Sequence, residues 1–362
     1  MGSHQDPEHT EWLQAAERGD TAAVIKFLES GMDVDAGDSI NCTALMRAVR
    51  GGHVELIRVL LDHGASLSPR NTLGNTALTD AVLRSRSWDG CWENRQLDPR
   101  PLEILLAAGA RYELREAVML NDVRLARARL AEGADPDEGE GTYDGPLLKI
   151  AAELGFLAVV DLLLKSGANV EATDDLGQRP LLSAAGLGRS EVVLRLLEHG
   201  AEINATDWSG QTALSNAAVE GHDDLYDLLL SRGAERGIVD ALARNDVDLF
   251  KAFLDEELRD ERDIDCLSDG RGRLATLAAA KGHAAIVRLL LDRGAAHFHK
   301  VLDDRTLLAE AAKNGHVNVV RLLIDRGADL HAVGGDGLTP RAWAVREGRD
   351  EVVGILDRAG AV

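Results

Sequence analysis

A phrase of twenty-two residues recurs eleven times along this 362-residue chain, and that recurrence constrains the fold more than any single residue does. The clearest copies span 43–65, 211–234 and 305–328, and they share a pair of small residues, a Gly-His turn, an apolar run and a closing Gly-Ala. A fixed period of this size is the signature of a solenoid, in which every repeat contacts only its neighbours. The sequence therefore predicts that the working part of the protein is a surface and not a single cleft.

An alanine stands at the same position in every copy, and we use it as the reference position of the repeat. The reference alanines are Ala15, Ala48, Ala81, Ala117, Ala151, Ala184, Ala217, Ala241, Ala278, Ala311 and Ala344. The closing residues are Gly31, Gly64, Gly109, Gly133, Gly167, Gly200, Gly233, Glu257, Gly294, Gly327 and Gly360. Successive closing residues are 33, 45, 24, 34, 33, 33, 24, 37, 33 and 33 residues apart, so the ground period is 33.

Each copy reads as two short helices. In the copy 211–234, apolar residues at helical spacing around Ala217 predict a first helix, and the leucine-rich stretch 225–230 predicts a second. Gly233 is expected to end the second helix, because glycine reaches the left-handed conformation without a side-chain clash. The Asp, Ser and Gly residues of 201–211 predict a tight turn at the tip of an extended finger between copies.

These residues closely resemble the ankyrin repeat family, whose phrase is roughly G-x-T-P-L-H-x-A-A-x-x-G-H followed by V-V-x-L-L-L-x-x-G-A. No copy keeps the full T-P-L-H: residues 43–46 are TALM, 212–215 are TALS and 339–342 are TPRA. The resemblance covers about residues 9–362 and implies an all-α repeat solenoid of helix–turn–helix pairs with β-hairpin fingers. Such irregular copies are typical of a natural, divergent protein, which we expect to be of bacterial type.

Two of the spacings lack nine residues, about the length of one finger. Fingerless repeats are therefore predicted at 111–134 and from residue 235, and the amino-terminal copy begins in the same way. The chain parses into a single solenoid of three blocks, 9–110, 111–234 and 235–362, while residues 1–8 resemble an expression-tag remnant. The lost fingers either have no consequence or create a bend or notch that shapes the binding face.

The longest spacing contains a twelve-residue insertion within about 85–97, which holds two of the five tryptophans, Trp88 and Trp92. Two exposed indoles without a function would invite aggregation, so this loop is expected either to contact a ligand or to pack back onto its own solenoid.

Charge is unevenly spread along the chain. The formal net charge is −21, and block 111–234 alone carries −11, with 22 acidic and 11 basic residues. Nucleic acid is not expected as a partner, because its binding depends on cations that displace phosphate counterions. A basic or neutral protein partner is favoured instead. No apolar run is long enough to span a membrane.

The resemblance implies that finger tips and the exposed face of the first helices line a concave groove that grips a partner. In residues 135–220 that groove would offer carboxylates and two aromatic tips, which suits an Arg- or Lys-bearing segment. Alternatively, the acidic row serves only solubility. The predicted contact residues are Tyr143, Asp144, Glu153, Leu154, Asp174, Asp175, Leu187, Asp207, Trp208, Val219 and Glu220, with Trp88 and Trp92 as a second contact or flap.

Catalytic and metal-binding patterns are weak. Six of the eleven histidines fall at scaffold positions of the repeat, and His297, His299 and His331 lack a zinc-binding spacing motif. Cys91 lies between acidic neighbours, which raise a thiol pKa and suppress the nucleophilic thiolate. We expect a non-catalytic interaction module without cofactor or metal. The alternative is an enzyme or small-molecule binder built around the Trp88–Trp92 loop.

Three cysteines, Cys42, Cys91 and Cys266, are odd in number and far apart, which is typical of reduced thiols in a cytoplasm. The chain is accordingly expected to be a cytoplasmic monomer, although export into a host cell is left open. The identity of the partner does not follow from the scaffold, since one fold serves many ligands.

Overall fold

The computed structural model describes residues 7–85, 98–140, 145–257, 273–293 and 306–361. Those ranges form helices joined by turns, and the β-structure within them is one isolated antiparallel bridge between Gly37 and Thr43. The helices are α1 Pro7–Arg18, α2 Thr21–Glu29, α3 Ala44–Gly51, α4 Val54–Asp62, α5 Ala77–Ser85, α6 Arg100–Ala107, α7 Leu114–Met119, α8 Val123–Ala131, α9 Leu147–Glu153, α10 Leu157–Lys165, α11 Pro180–Gly186, α12 Ser190–Glu198, α13 Ala213–Glu220, α14 Asp223–Ser231, α15 Ile238–Ala243, α16 Val247–Glu257, α17 Arg273–Lys281, α18 Ala284–Asp292, α19 Leu307–Asn314, α20 Val317–Asp325, α21 Pro340–Arg346 and α22 Asp350–Ala359.

The predicted repeat register is confirmed by burial. Every reference alanine lies in the first helix of its repeat, and each is at most 1% exposed. A single methyl group fits where two first helices approach closely, whereas a larger side chain would force them apart. The closing glycines are equally regular: the nine that lie in described segments have φ between +80° and +97°. Only glycine adopts that left-handed conformation without strain, so the second helices end where the sequence predicted.

The structure divides into two compact units. One runs to Ala184 and includes Glu191–Ala201; the other comprises Ala185–Ser190 and the chain from Glu202 onward. In the first unit, α1, α3, α5, α7 and α9 pack in sequence as neighbouring first helices. In the second unit, α13, α15, α17, α19 and α21 do the same. Each unit therefore builds a core that continues from repeat to repeat, as expected for an all-α repeat solenoid.

Side chains rather than strand ladders close the fingers. At four described tips an Asp or Asn accepts the backbone N–H groups two and four residues later through Oδ1, at 2.8–3.0 Å. The backbone N–H of the same residue donates to the carbonyl four residues on. The residues that do this are Asp38, Asn71, Asp174 and Asp207. These four fingers are thus Asx-closed turns, which differ from the expected β-hairpins in having almost no ladder.

The two fingerless repeats start their first helices in a different way. Several other repeats have a finger that ends in a threonine such as Thr212, whose hydroxyl accepts the N–H of Ser215 at 3.1 Å. The fingerless repeats have an acidic residue one position before the reference alanine. Glu116 accepts the N–H of Glu113 at 2.9 Å and the hydroxyl of Thr79 at 2.5 Å. In the second unit a second carboxylate occupies the same position: Asp240 accepts the N–H of Gly237, and the hydroxyl of Tyr226 at 3.0 Å.

In the first unit, the fingers on either side of the missing one are joined directly. Arg70, on the finger before the fingerless repeat, pairs with Glu138 beyond it at 3.0 Å. The guanidinium of Arg115, which is 1% exposed, lies between them, 3.5 Å from Glu138. A Cβ added at Gly139 would come within 2.6 Å of Arg115, so the segment fits closely around this side chain. The segments on either side of the lost finger are therefore in direct contact.

Candidate protein-binding surface

Among the described residues of the second unit, Trp208 is the most exposed large hydrophobic side chain. It lies at a finger tip and is 76% exposed. The preceding residue, Asp207, is only 6% exposed and accepts the N–H groups of Ser209 and Gln211, each at 2.9 Å. A buried carboxylate thus fixes the turn that presents the indole to solvent.

Three further predicted residues of the same unit lie at or next to the carboxyl ends of first helices. Leu187 is 50% exposed, Val219 is half-buried and Glu220 is exposed. The turn that carries Leu187 is held in place because Nε2–H of His222 donates to the carbonyl of Gly186 at 3.0 Å. The carbonyl of Val219 accepts a hydrogen bond from the ammonium of Lys281, which reaches it across the fingerless repeat. The side chains of Leu187 and Glu220 therefore stand on a locally fixed backbone.

In the first unit, two of the predicted carboxylates, Asp174 and Glu153, share one internal partner. Asp174 is 4% exposed, and the ammonium of Lys149 lies 3.2 Å from it and 2.7 Å from Glu153. Burial lowers the pKa of Lys149, but Glu153 and Asp174 outweigh that effect and the pKa is raised. Lys149 therefore stays charged at neutral pH and forms an ion pair with both acids. Asp174 closes its finger as Asp207 does.

The remaining predicted residues of the first unit are half-buried: Leu154 at a helix end and Asp175 at a finger tip. Leu176, which the sequence analysis did not single out, is 57% exposed at the same tip. It stands two residues after the turn carboxylate, next to the tip position that Trp208 occupies on its own finger. Its place in the repeat register, at a finger tip, is the sequence signal that marks it.

Four predicted contact residues, Tyr143, Asp144, Trp88 and Trp92, lie outside the described residues. Their roles stay predictions, as does the alternative of an enzyme or small-molecule binder built around the Trp88–Trp92 loop. His297 and His299 also fall outside these ranges, so their convergence with His331 stays open.

The histidines of the Gly-His turns bind the scaffold together. In each, Nε2–H donates to the backbone carbonyl two residues after the reference alanine of the preceding repeat, at 2.6–3.3 Å. The donors are His53, His222, His283 and His316, and their acceptors are Glu17, Gly186, Ala243 and Ala280. Two more, His63 and His199, place Nδ1 at 2.8 and 2.9 Å from a carbonyl of their own helix. All six histidines that the sequence assigned to the scaffold thus make such a bond.

Within the residues that the structure describes, no three His, Cys, Asp or Glu side chains converge to hold a metal ion. The Cys42 thiol is buried, and burial raises its pKa, which disfavours the reactive thiolate. No described helix has the length and apolarity needed to cross a membrane.

Comparison with known sequences agrees with this geometry. A family described as ankyrin repeats (3 copies) matches residues 12–89, 114–207, 148–240, 238–333 and 276–361. The chain belongs to the ankyrin repeat family. Ankyrin repeats generally mediate protein–protein interaction, and the family is in general a non-catalytic scaffold.

Three relatives illustrate the range of proteins that share these repeats. The chain is 32% identical over 165 residues to ankyrin repeat and SAM domain-containing protein 6 of Danio rerio, covering 45% of the chain and 22% of that relative. It is 31% identical over 195 residues to protein glp-1 of Caenorhabditis elegans, covering 48% of the chain and 15% of that relative. It is 31% identical over 160 residues to potassium channel AKT2/3 of Arabidopsis thaliana, covering 42% and 18%. The chain spans less than a quarter of each of these relatives.

Proposed function

We propose that this ankyrin repeat chain is a non-catalytic module that binds a basic segment of a partner protein on the second unit, around Trp208. The observation that carries the proposal is an indole 76% exposed on a finger whose turn is closed by a buried carboxylate. An exposed tryptophan held rigidly supplies a large contact area at little cost in conformational entropy, and aromatic anchors of this kind dominate binding energies.

Charge favours a basic segment. The repeat 202–234 contains six carboxylates and one cation, Arg232. Glu220 stands exposed at the end of α13 in that repeat. An arginine or lysine of the partner would stack on Trp208, a cation–π contact worth about 0.5–2 kcal/mol, and pair with Glu220. Leu187 and Val219 would supply the apolar contact.

The first unit offers a separate contact for a partner protein, also at a finger tip. Leu176 is exposed at its finger tip beside Asp175, whereas Asp174 and Glu153 are held by Lys149. We propose Leu176 and Asp175 as contacts, with Leu154 beside them, and assign Asp174 and Asp207 to the finger turns. The module is proposed to act as a cytoplasmic monomer.

Tryptophan fluorescence during titration with an arginine-rich peptide tests the proposal. We expect a change in emission that weakens as salt increases, and Trp208→Ala should remove it. Glu220→Gln should weaken binding several-fold, since it removes a charge at the site. Asp224→Asn is the matched control, because it removes one charge from the same repeat on an exposed position of α14.

Equal weakening by Glu220→Gln and Asp224→Asn would show that only the net charge attracts the peptide, and the proposed site would then be wrong. Binding that survives both Trp208→Ala and high salt would also contradict it.

A further inference from the structure

A second group of charged and aromatic residues, of opposite sign, lies near the carboxyl end of the second unit. The ammonium of Lys313 is 5.1 Å from the centre of the Trp343 ring, and the guanidinium carbon of Arg346 is 5.0 Å from it. Arg349 joins them, because its Nε–H donates to the carbonyl of Lys313 at 3.0 Å. We call Lys313, Trp343, Arg346 and Arg349 the basic cluster.

Within the described residues, many arginines form an ion pair with a carboxylate, unlike Lys313 and Arg346 of the basic cluster. Arg293 pairs with Asp255, Arg326 with Asp292 at 2.9 Å, and Arg341 with Asp357 at 2.6 Å. Across the described segments, neither Lys313 nor Arg346 has a carboxylate partner, although acidic residues outnumber basic ones by 61 to 40.

The acidic residues closest in sequence to Lys313 and Arg346 form no ion pair with them in the described part of the chain. Glu310 accepts a hydrogen bond from the side chain of Asn314 at 3.2 Å, and Glu347 follows Arg346 in the chain without forming an ion pair with it. Arg346 and Glu347 are both exposed, while Lys313 is half-buried. The two cations are thus held in place by the indole and keep their donors available to another molecule.

We propose that the basic cluster binds an acidic segment of a partner protein, with Asp or Glu carboxylates facing Lys313 and Arg346. Arginine presents a planar fork that matches a carboxylate, and lysine adds a compact second charge. At physiological salt the Debye length is about 8 Å, so the negative charge elsewhere on the chain is largely screened at this site. A long polyanion such as nucleic acid would extend beyond the cluster onto acidic surface, which disfavours it.

This proposal is independent of the basic-segment site around Trp208. The two sites use different side chains of one unit and select partners of opposite charge. A partner with both basic and acidic segments would engage both.

Fluorescence anisotropy of a labelled poly-glutamate peptide, with poly-glutamine as the neutral probe, tests the basic cluster. We expect poly-glutamate alone to bind, and the double variant Lys313→Gln/Arg346→Gln to lose about tenfold in affinity, since the two charge-assisted contacts together contribute to that extent. The matched control is Arg288→Gln/Arg321→Gln, which removes two exposed charges from the second helices α18 and α20. That control should change the affinity much less. Trp208→Ala should leave it unchanged.

Several results would overturn the proposal. Equal losses in the two double variants would mean that only net charge is sensed. A single-stranded oligonucleotide that binds more tightly than poly-glutamate at physiological salt would identify a different class of ligand. Self-association seen by sedimentation velocity and lost in Lys313→Gln/Arg346→Gln would make a second copy of the chain the occupant. The fluorescence emission of Trp343 provides a direct readout. A carboxylate bound to Lys313 and Arg346 changes the electrostatic field that these two cations impose on the indole.

Discussion

At the scale of single residues, the acidic side chains of the fingers serve two purposes that look alike in sequence. Asp207 and Asp174 are buried and accept backbone N–H groups, whereas Glu220 is exposed at a helix end. Asn71 closes its finger through the same pair of bonds, at 2.9 and 3.0 Å, so the turn needs an acceptor oxygen rather than a negative charge. The charge of such a residue therefore contributes less to the fold than its geometry does.

The neighbours Asp207 and Trp208 provide a direct test of this division. Asp207→Ala should lower the free energy of unfolding by about 1.5–3 kcal/mol, because buried N–H groups lose a charged acceptor. Asp207→Asn should cost less than about 1 kcal/mol, since an amide oxygen can accept the same bonds. Trp208→Ala should change the free energy of unfolding by no more than about 0.5 kcal/mol, because the indole is exposed and packs little on the scaffold. Urea unfolding measures all three, and a large loss in Trp208→Ala would show that the indole packs on its own scaffold.

At the scale of elements, the fingerless repeats replace a finger by a buried carboxylate. Asp240 caps α15 and bonds Tyr226 of the preceding repeat, and Glu116 does the same for α7 with Thr79. Burial raises the pKa of Asp240. The hydrogen bonds from the Gly237 amide and the Tyr226 hydroxyl lower this pKa, but by less, so the pKa of Asp240 is raised overall. Burial, and then Asp240, raise the pKa of Tyr226 to about 12. A junction between repeats thus depends on one proton-sensitive pair.

The raised pKa of Asp240 makes the stability of this junction depend on pH. The folded state holds the proton of Asp240 more tightly than the unfolded state does, so the free energy of unfolding falls as pH rises above 3.8 through the raised pKa. Asp240→Asn lacks this titration and should gain stability relative to the wild type between pH 4 and pH 7. Urea unfolding across that range, with Asp224→Asn as an exposed control, measures the difference. A difference that does not change with pH would contradict the assignment.

At the scale of the whole molecule, stability should be distributed from repeat to repeat within each unit. The cores of the two units consist of the same kind of small and branched side chains, with a reference alanine in every layer. Because a repeat contacts mainly its neighbours, a local loss should spread only a short distance along the stack. Two contacts connect repeats that are not direct neighbours, because each crosses a fingerless repeat. The Arg70–Glu138 pair does so in the first unit, and the bond from Lys281 to the Val219 carbonyl does so in the second.

Leu323→Ala tests this distribution. Leu323 is fully buried in α20, and its truncation should cost about 2–5 kcal/mol. Hydrogen exchange should increase most in α19–α22 and progressively less toward α13, while helices of the first unit such as α3 keep their protection. A uniform increase throughout the chain would show instead that the molecule unfolds as a single cooperative body.

The sequence by itself determined the repeat register, the helix pairs and the ends of the helices. These follow from local rules: apolar spacing of a helix, alanine where helices approach closely, and glycine at a left-handed cap. The buried Ala217 and the positive φ of Gly233 match the prediction for that reason. The same local rules placed the two short repeats, because a missing finger changes the spacing of the closing residues.

Only the tertiary structure decided which polar side chains are available to a partner. Asp207 and Glu220 are both acidic and both lie at predicted surface positions, yet one is buried in its turn. Lys149 pairs with both Glu153 and Asp174, whereas Lys313 and Arg346 lie beside Trp343 without a carboxylate partner among the described residues. Such pairings join residues from different repeats, or depend on how deeply a turn is buried. They follow from three-dimensional packing, which a periodic pattern along the chain does not encode.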